Sequence, residues 1–475
     1  MFSNNMDDVN SDTLIDSDEY QAMSHEKKNQ LFLLIILCIS IISIGLCIYY
    51  FINYFQRTKI KYDDGEDDPK NALYGCICDA GSSGTRVSVY RWPKRKKNII
   101  PRIKEVNRSR TNPGIHEMNE TKLEESMNHL IGFCKEIINK ESQNHCNLSD
   151  TSFYLKATAG MRSISEEKRK KKLDFIRNII RKSNLKFLKD DWVKVIDGNE
   201  EGLFGWISVN YLNDILFKNQ NARKQVIMPY GSIDLGGYSL EITFSTNETI
   251  KEHNFNLNFT QINYNIYSYS FQNYGQSRFK EILMEHIIKN SSKHGSSNII
   301  ENPCYLVGYN ETYKLNNINY TFVGKTNISL CQQHIKYIMN LTRDEDKEKS
   351  INKVYQPKIP EDLKFYGISG LYWIAKTFKI ADGKDFHSAS ELLAATDELC
   401  KKNWEDAIIH YKVEEKDKKH FKGYCSAGYY VYYIFVEGFK IDKEKKIFNF
   451  PAKINNNEVG WTLGAMSYEI GLLPL

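Results

Sequence analysis

Short runs rich in apolar, β-branched and aromatic residues, at 73–78, 87–92, 153–157, 226–234 and 239–244, read as strands. They alternate with longer stretches (117–139, 166–183, 275–289 and 368–378) whose apolar residues recur every three or four positions, as on one face of a helix. The mixture predicts an α/β protein with helices packed on sheets. One segment has neither period: residues 31–55, LFLLIILCISIISIGLCIYYFINYF, carry no charge and are long enough to cross a bilayer as a helix. The acidic, polar segment ahead of it and its length exclude a cleaved leader, so it reads as an anchor. Residues 1–30 read as a disordered cytosolic tail, 56–71 as a charged stalk, and the folded part begins at Ala72.

The pattern contains an echo. The first strand ends in Asp79-Ala-Gly-Ser-Ser-Gly-Thr85, and a later one ends in Asp234-Leu-Gly-Gly-Tyr-Ser239. Each places an aspartate at the carboxyl end of a strand and follows it with glycines and hydroxyls. In an α/β sheet that edge is where ligands bind, so two such loops facing each other would form a cleft between two halves built on one plan. Glycine lets backbone N–H groups approach an anion closely, which makes Gly81, Ser82, Ser83, Gly84 and Thr85 one candidate phosphate cradle and Gly236, Gly237 and Ser239 another. Either loop alone could be an ordinary tight turn; the repetition after strand-borne aspartates is what favours the cradle. Lys156-Ala-Thr-Ala-Gly-Met-Arg162 is a third strand running into small residues, and Asp197-Gly-Asn-Glu-Glu-Gly-Leu-Phe-Gly-Trp206 sets carboxylates beside glycines. A phosphate cleft needs such acids, to activate water and to organise a divalent metal.

Composition narrows the reading. The chain has 475 residues, 41% apolar and 26% charged, enough for two domains with cores of their own. A net charge of +5, with bases and acids interleaved, gives no reason to expect nucleic acid as a partner. Gly324-Lys-Thr326 is not a P-loop, because Asn319 stands at the required earlier glycine, and no His or Cys cluster has zinc spacing. Of ten cysteines, six fall into neighbouring pairs, Cys134 with Cys146, Cys304 with Cys331 and Cys400 with Cys425. Glycosylation sequons are frequent after residue 100, among them Asn107, Asn147, Asn247, Asn258, Asn310, Asn319, Asn327 and Asn340. Both features point to an oxidising compartment for residues 56–475, a type II topology with that part extracellular or lumenal.

DAGSSGTRVSVYRW, KATAGMR, DGNEEGLFGWISVNYL and GSIDLGGYSLEITF together resemble, in order and spacing, the apyrase conserved regions of the ecto-nucleoside triphosphate diphosphohydrolase family. FYGISGLYW (365–373) resembles the fifth region, YNIYSYSFQNYG (264–275) a segment before it, and EVGWTLGA (458–465) the C-terminal signature. The resemblance implies two ribonuclease-H-like lobes of the actin and hexokinase kind, 72–202 with 450–475 and 203–449, and a nucleotide bound between them. It implies that Asp79 and Asp234 hold Ca²⁺ or Mg²⁺ largely through water. Ser82, Ser83, Gly84, Thr85, Thr158, Ala159 and Gly160 would cradle phosphates, with Gly236 and Gly237 from the second loop. Glu201, the acid directly before the glycine, would be the general base in preference to Glu200, Ser239 would position the attacking water, and Tyr372 would stack on the nucleobase. The activity implied is removal of the terminal phosphate of nucleoside tri- or diphosphates by water. The alternatives are a Golgi-type nucleoside diphosphatase or a catalytically weak nucleotide-binding member of the same fold.

The sequence departs from the family pattern at three places. Glu241 replaces the glutamine that helps hold the water, Asn273 stands where the family has a cysteine, and the single anchor resembles that of Golgi and plant-type members.

Overall fold

The computed structural model describes residues 25–58, 68–94, 101–220, 226–259, 262–291, 298–339, 348–381 and 383–471. The expected tail up to residue 24, residues 59–67 of the expected stalk, the basic run beyond Lys94 and the sequon at Asn340 lie outside the described residues. The chain divides into two compact units, Met1–Tyr62 and Asp63–Leu475. In the first, one helix runs His25–Thr58, and its stretch Phe32–Tyr50 is apolar on every face. Its 19 residues, at a rise of about 1.5 Å each, cover about 28 Å, close to the thickness of a bilayer's hydrocarbon core.

The second unit is built on two main sheets. The first contains β1 (Leu73–Gly81), β2 (Gly84–Trp92), β3 (Lys104–Thr111), β4 (Ser152–Ala157) and β5 (Val193–Val195), in the order β3-β2-β1-β4-β5. β1, β2 and β3 are antiparallel neighbours, while β1, β4 and β5 run parallel. Helices Glu120–Ser142 and Glu166–Arg181 supply Leu123, Met127, Leu130, Ile176 and Ile180 to the core this sheet shares with them.

Next in sequence come β6 (Gly231–Leu235), β7 (Ser239–Ser245), β8 (Asn254–Phe259) and β9 (Ile262–Gln272). A small three-stranded sheet of β10 (Ile299–Asn302), β11 (Asn310–Leu315) and β12 (Ile318–Gly324) intervenes before β13 (Phe365–Ser369) and β14 (Phe448–Asn449). The second main sheet has the order β14-β13-β6-β7-β9-β8. β6 is antiparallel to β7 and parallel to β13, β7 is antiparallel to β9, and β13 is parallel to β14. β6, β7, β9, β13 and β14 therefore repeat the order and directions of β1 to β5, with β8 added at one edge. The internal echo in the sequence is a repeat of topology, and each copy has the ribonuclease-H-like plan.

Three expectations change. β6 begins at Gly231 instead of residue 226, because Pro229 has no N–H for the ladder and Val226, Ile227 and Met228 are exposed. Cys304–Cys331 and Cys400–Cys425 are bridged, but Cys134 and Cys146 are both free thiols. Cys134 points from its helix into the core beside Cys76 and Cys78. The chain then leaves the helix through Gln143 in the left-handed region (φ 51°), which carries Cys146 away to meet Thr151 Oγ1 at 3.5 Å. Finally, in sequence residues 197–206 read only as carboxylates beside glycines, with no element assigned, and Gly198–Leu212 is one helix, buried on nearly every side.

Candidate active site

The two strand-end loops meet. β1 and β2 are joined through Ser82 and Ser83, and the backbone of Gly237 comes so close to this turn that a Cβ there would stand 2.5 Å from Ser82 Oγ. A Cβ on Gly160 would stand 2.9 Å from Ser82 Cα, so the third small-residue loop arrives at the same point. Only glycine permits both approaches. Thr158, just before that loop, is buried and donates its N–H to the Ala80 carbonyl at 3.2 Å. The second loop is fastened from behind by the helix Gln276–Ser291, whose Gln276 and Ser277 N–H groups donate to the carbonyls of Gly236 and Gly237 at 2.9 Å each. His116 and Tyr238 meet edge to face between the halves, their ring centroids 6.4 Å apart.

The acids gather around these loops. In the antiparallel register Asp79 pairs with Arg86 in the first sheet and Asp234 pairs with Glu241 in the second, at equivalent places of the repeat. Arg86 Nη1 lies 3.4 Å from Asp79 Oδ2, but burial outweighs this cation and raises the Asp79 pKa. Asp234, buried and near Asp79, is pushed up to about 6 even though the Ser369 hydroxyl bonds it. Glu241 is pushed up to about 8 by burial and by Asp234, against hydrogen bonds from Ser239 and Ser270. Ser270 Oγ donates to its Oε1 at 2.7 Å, while Oε2 is buried with no partner among the described residues.

Adjacent glutamates on the helix Gly198–Leu212 diverge. Glu200 Oε2 accepts the N–H of Asp197 at 3.0 Å, closing a capping box. Glu201 is buried and faces Arg162, whose Nη2 lies 3.1 Å from Oε2. Burial and the negative charge of Glu241 raise the Glu201 pKa well above the ordinary range, with Arg162 opposing. Arg162 is itself held by the Ile196 carbonyl at 3.0 Å.

Asp79, Glu201, Asp234, Ser239 and the small-residue loops thus come to one place. Thr85 lies there too, fully buried, its Oγ1 unpartnered among the described residues. Lys156, at the head of the third motif, instead turns away to Glu469 at 2.5 Å, fully buried. Tyr372 is half-buried on the helix Gly370–Thr377 and packs edge to face on exposed Trp373, with 5.0 Å between centroids. That helix follows Ser369, which bonds Asp234 and has φ 57°, a strained conformation for a serine.

Sequence reasoning missed Arg162, Arg110 and Ser369. Arg162 closes a quoted motif, and Arg110, which bonds the Ser83 carbonyl at 3.0 Å, lies on a strand without apolar alternation. The donor set suits a hard cation, being all carboxylate and hydroxyl oxygen. Among the described residues, no three His, Cys, Asp or Glu side chains stand close enough to ligate one ion together.

A sequence model of the GDA1/CD39 (nucleoside phosphatase) family matches residues 66–474. Ectonucleoside triphosphate diphosphohydrolase 8 of Gallus gallus is 29% identical, over 86% of this chain and 84% of its own. Ectonucleoside triphosphate diphosphohydrolase 1 of Bos taurus is also 29% identical, over 84% and 81%. Among solved structures, a nucleoside triphosphate hydrolase from Neospora caninum superposes with a TM-score of 0.64 at 13% identity, over 89% of this chain and 97% of that one, a likeness of fold.

Proposed function

Because the chain belongs to the GDA1/CD39 family of nucleoside phosphatases, we propose that it removes the terminal phosphate of nucleoside tri- or diphosphates, or both, by direct attack of water in the cleft between the two repeats. The observation that carries this reading is the meeting of the two Asp-bearing loops at Ser82, with a buried carboxylate, Glu201, beside them. The lobes would be 72–202 with 450–475 and 203–449, a division supported by the placement of β1 to β5 in one span and β6 to β14 in the other.

Ser82, Ser83, Gly84, Thr85, Thr158, Ala159, Gly160, Gly236 and Gly237 surround the phosphates in this reading. Backbone N–H groups of the loops donate to the phosphate oxygens, and the buried Thr85 hydroxyl gains the partner it lacks. Ser239, bonded to Glu241, positions the water. Glu201 takes its proton. Burial makes Glu201 a stronger base than a surface carboxylate, and Arg162 favours the ionised form that can act. Asp79 and Asp234 would hold Ca²⁺ or Mg²⁺, which would neutralise charge on the phosphate. Tyr372 offers the nucleobase a face one helical turn beyond Ser369.

A phosphate-release panel on the full chain in detergent tests this, with nucleoside tri-, di- and monophosphates in Ca²⁺, Mg²⁺ or EDTA. Release is expected from tri- or diphosphates, not from monophosphates, and only with a cation. Full release in EDTA, or release from monophosphates alone, would overturn the reading.

A further inference from the structure

Ser369 ends β13 and hands the chain directly to the helix Gly370–Thr377. At that turn it has φ 57° and ψ −118°, a backbone region that L side chains avoid and glycine enters freely. The first repeat shows that passing from strand to helix here does not require such a conformation. β4 is the counterpart of β13, and it reaches the helix Ala159–Arg162 through Thr158 at φ −119°. The residue after Ser369 is glycine for want of space, since a Cβ on Gly370 would stand 2.7 Å from the Leu235 carbonyl oxygen. Ser369 itself is exposed, so the reason a side chain is kept at this strained position lies in what that side chain does.

Comparing the two repeats supplies that reason. In the first sheet Asp79 pairs with Arg86 across β1 and β2, and the guanidinium lies 3.4 Å from its carboxylate. In the second sheet the residue opposite Asp234 across β6 and β7 is Glu241, another acid, whose charge opposes that of Asp234. A donor for Asp234 comes instead from the strand on its other side, β13, where Ile368 is its register partner and Ser369 is the next residue. The Ser369 hydroxyl reaches the buried Asp234 carboxylate and hydrogen-bonds it. A carboxylate held by one oxygen presents the other in a fixed direction, which a cation or its water shell can use.

We propose that Ser369 is a positioning residue for the divalent cation: its hydroxyl fixes the Asp234 carboxylate toward the phosphate cleft, as Arg86 fixes Asp79, and the strained turn aims it there. Because this donor is neutral, it orients the carboxylate without competing with the cation for its charge. The inference rests on the phosphatase reading above, through the cation at Asp234.

The test is thermal unfolding of the full chain in detergent, in EDTA and across a Ca²⁺ series with a saturating β,γ-imido nucleoside triphosphate, whose terminal bond resists hydrolysis. Ser369→Ala removes the hydroxyl and keeps the strain, while Ser369→Gly removes both. Both variants are expected to move the midpoint of the Ca²⁺-dependent rise in Tm at least tenfold higher. In EDTA the glycine variant should nevertheless unfold at a higher temperature than the alanine variant, a separation that a residue serving only the fold would not give. On an Asp234→Asn background, Ser369→Ala should produce no further shift, because it acts through that carboxylate. An unchanged Ca²⁺ midpoint in a folded variant, a glycine variant no more stable than the alanine variant, or a further tenfold shift on the Asp234→Asn background would each overturn the assignment. If one variant does not fold, the midpoint of the other decides. A Ca²⁺ response absent from the unsubstituted chain would remove the cation reading itself, and this inference with it.

Discussion

Glu200 and Glu201 are neighbours in the chain but about 100° apart around their helix, so one caps it and the other turns towards Arg162. Glu201→Gln keeps the shape but cannot accept a proton, and turnover should fall on the order of 10²- to 10⁴-fold while nucleotide binding survives. Glu200→Gln retains an oxygen for the Asp197 N–H and should leave turnover near normal. The reverse pattern in single-turnover and binding assays would exchange their roles. Glu241 makes a separate prediction about pH. Its folded pKa of about 8 lies above the ordinary 4.5, so between those values the folded protein binds more protons than the unfolded chain. Stability must therefore fall as pH rises through that window. In EDTA, Tm should decline from pH 5 to pH 8, and Glu241→Gln should flatten the decline. A slope unchanged by the substitution would assign it to other groups. The position was legible in the sequence as a departure from the family; its coupling to Asp234 was not, because that depends on strand register.

At the scale of elements, the sequence showed what had a strong local cause. The hairpin of β1 and β2 declares itself through apolar runs flanking Ser82 and Ser83, and the second loop through its repetition of the same signals. The helix Gly198–Leu212 escaped because it is wedged between sheet and neighbouring helix and is buried from Gly202 to Leu212. Such a helix has no polar face and so no 3.6-residue period to detect. The supposed Cys134–Cys146 bridge failed for a related reason, since spacing says nothing about which way a helix points its thiol. Thiol titration of the denatured, unreduced chain should accordingly find six free cysteines, Cys38, Cys47, Cys76, Cys78, Cys134 and Cys146. Four would restore the bridge. Cys400 and Cys425 close a loop with a sequence separation of 25, and replacing both by serine should cost about 3 kcal/mol of stability, read by denaturant unfolding of the purified chain.

For the whole molecule, the repeat of one sheet plan means that neither half contains a complete site. Asp79 comes from one and Asp234 from the other, and the acids between them must be arranged by how the halves meet. That meeting was visible in the sequence only as an echo, and its geometry rests on contacts between residues far apart, such as Gly237 with Ser82. The anchor raises a different question, which side of the membrane carries the cleft. Charges flanking 31–55 are too balanced to set an orientation: Lys27 and Lys28 precede it, and Arg57, Lys59 and Lys61 follow. Two features of the folded unit argue for the non-cytosolic side. Two disulfides staple its second half, and eight of the nine sequon asparagines within the described residues (Asn107, Asn119, Asn147, Asn247, Asn258, Asn310, Asn319 and Asn327, but not half-buried Asn290) are exposed, where a glycan can be attached without disturbing the core. A chain with tags at both ends, expressed into sealed microsomes, should therefore lose its N-terminal tag to added protease and keep its C-terminal tag. Its mass should fall on treatment with an N-glycosidase. Digestion of the C-terminal tag in intact vesicles would place the cleft in the cytosol and exclude the type II orientation.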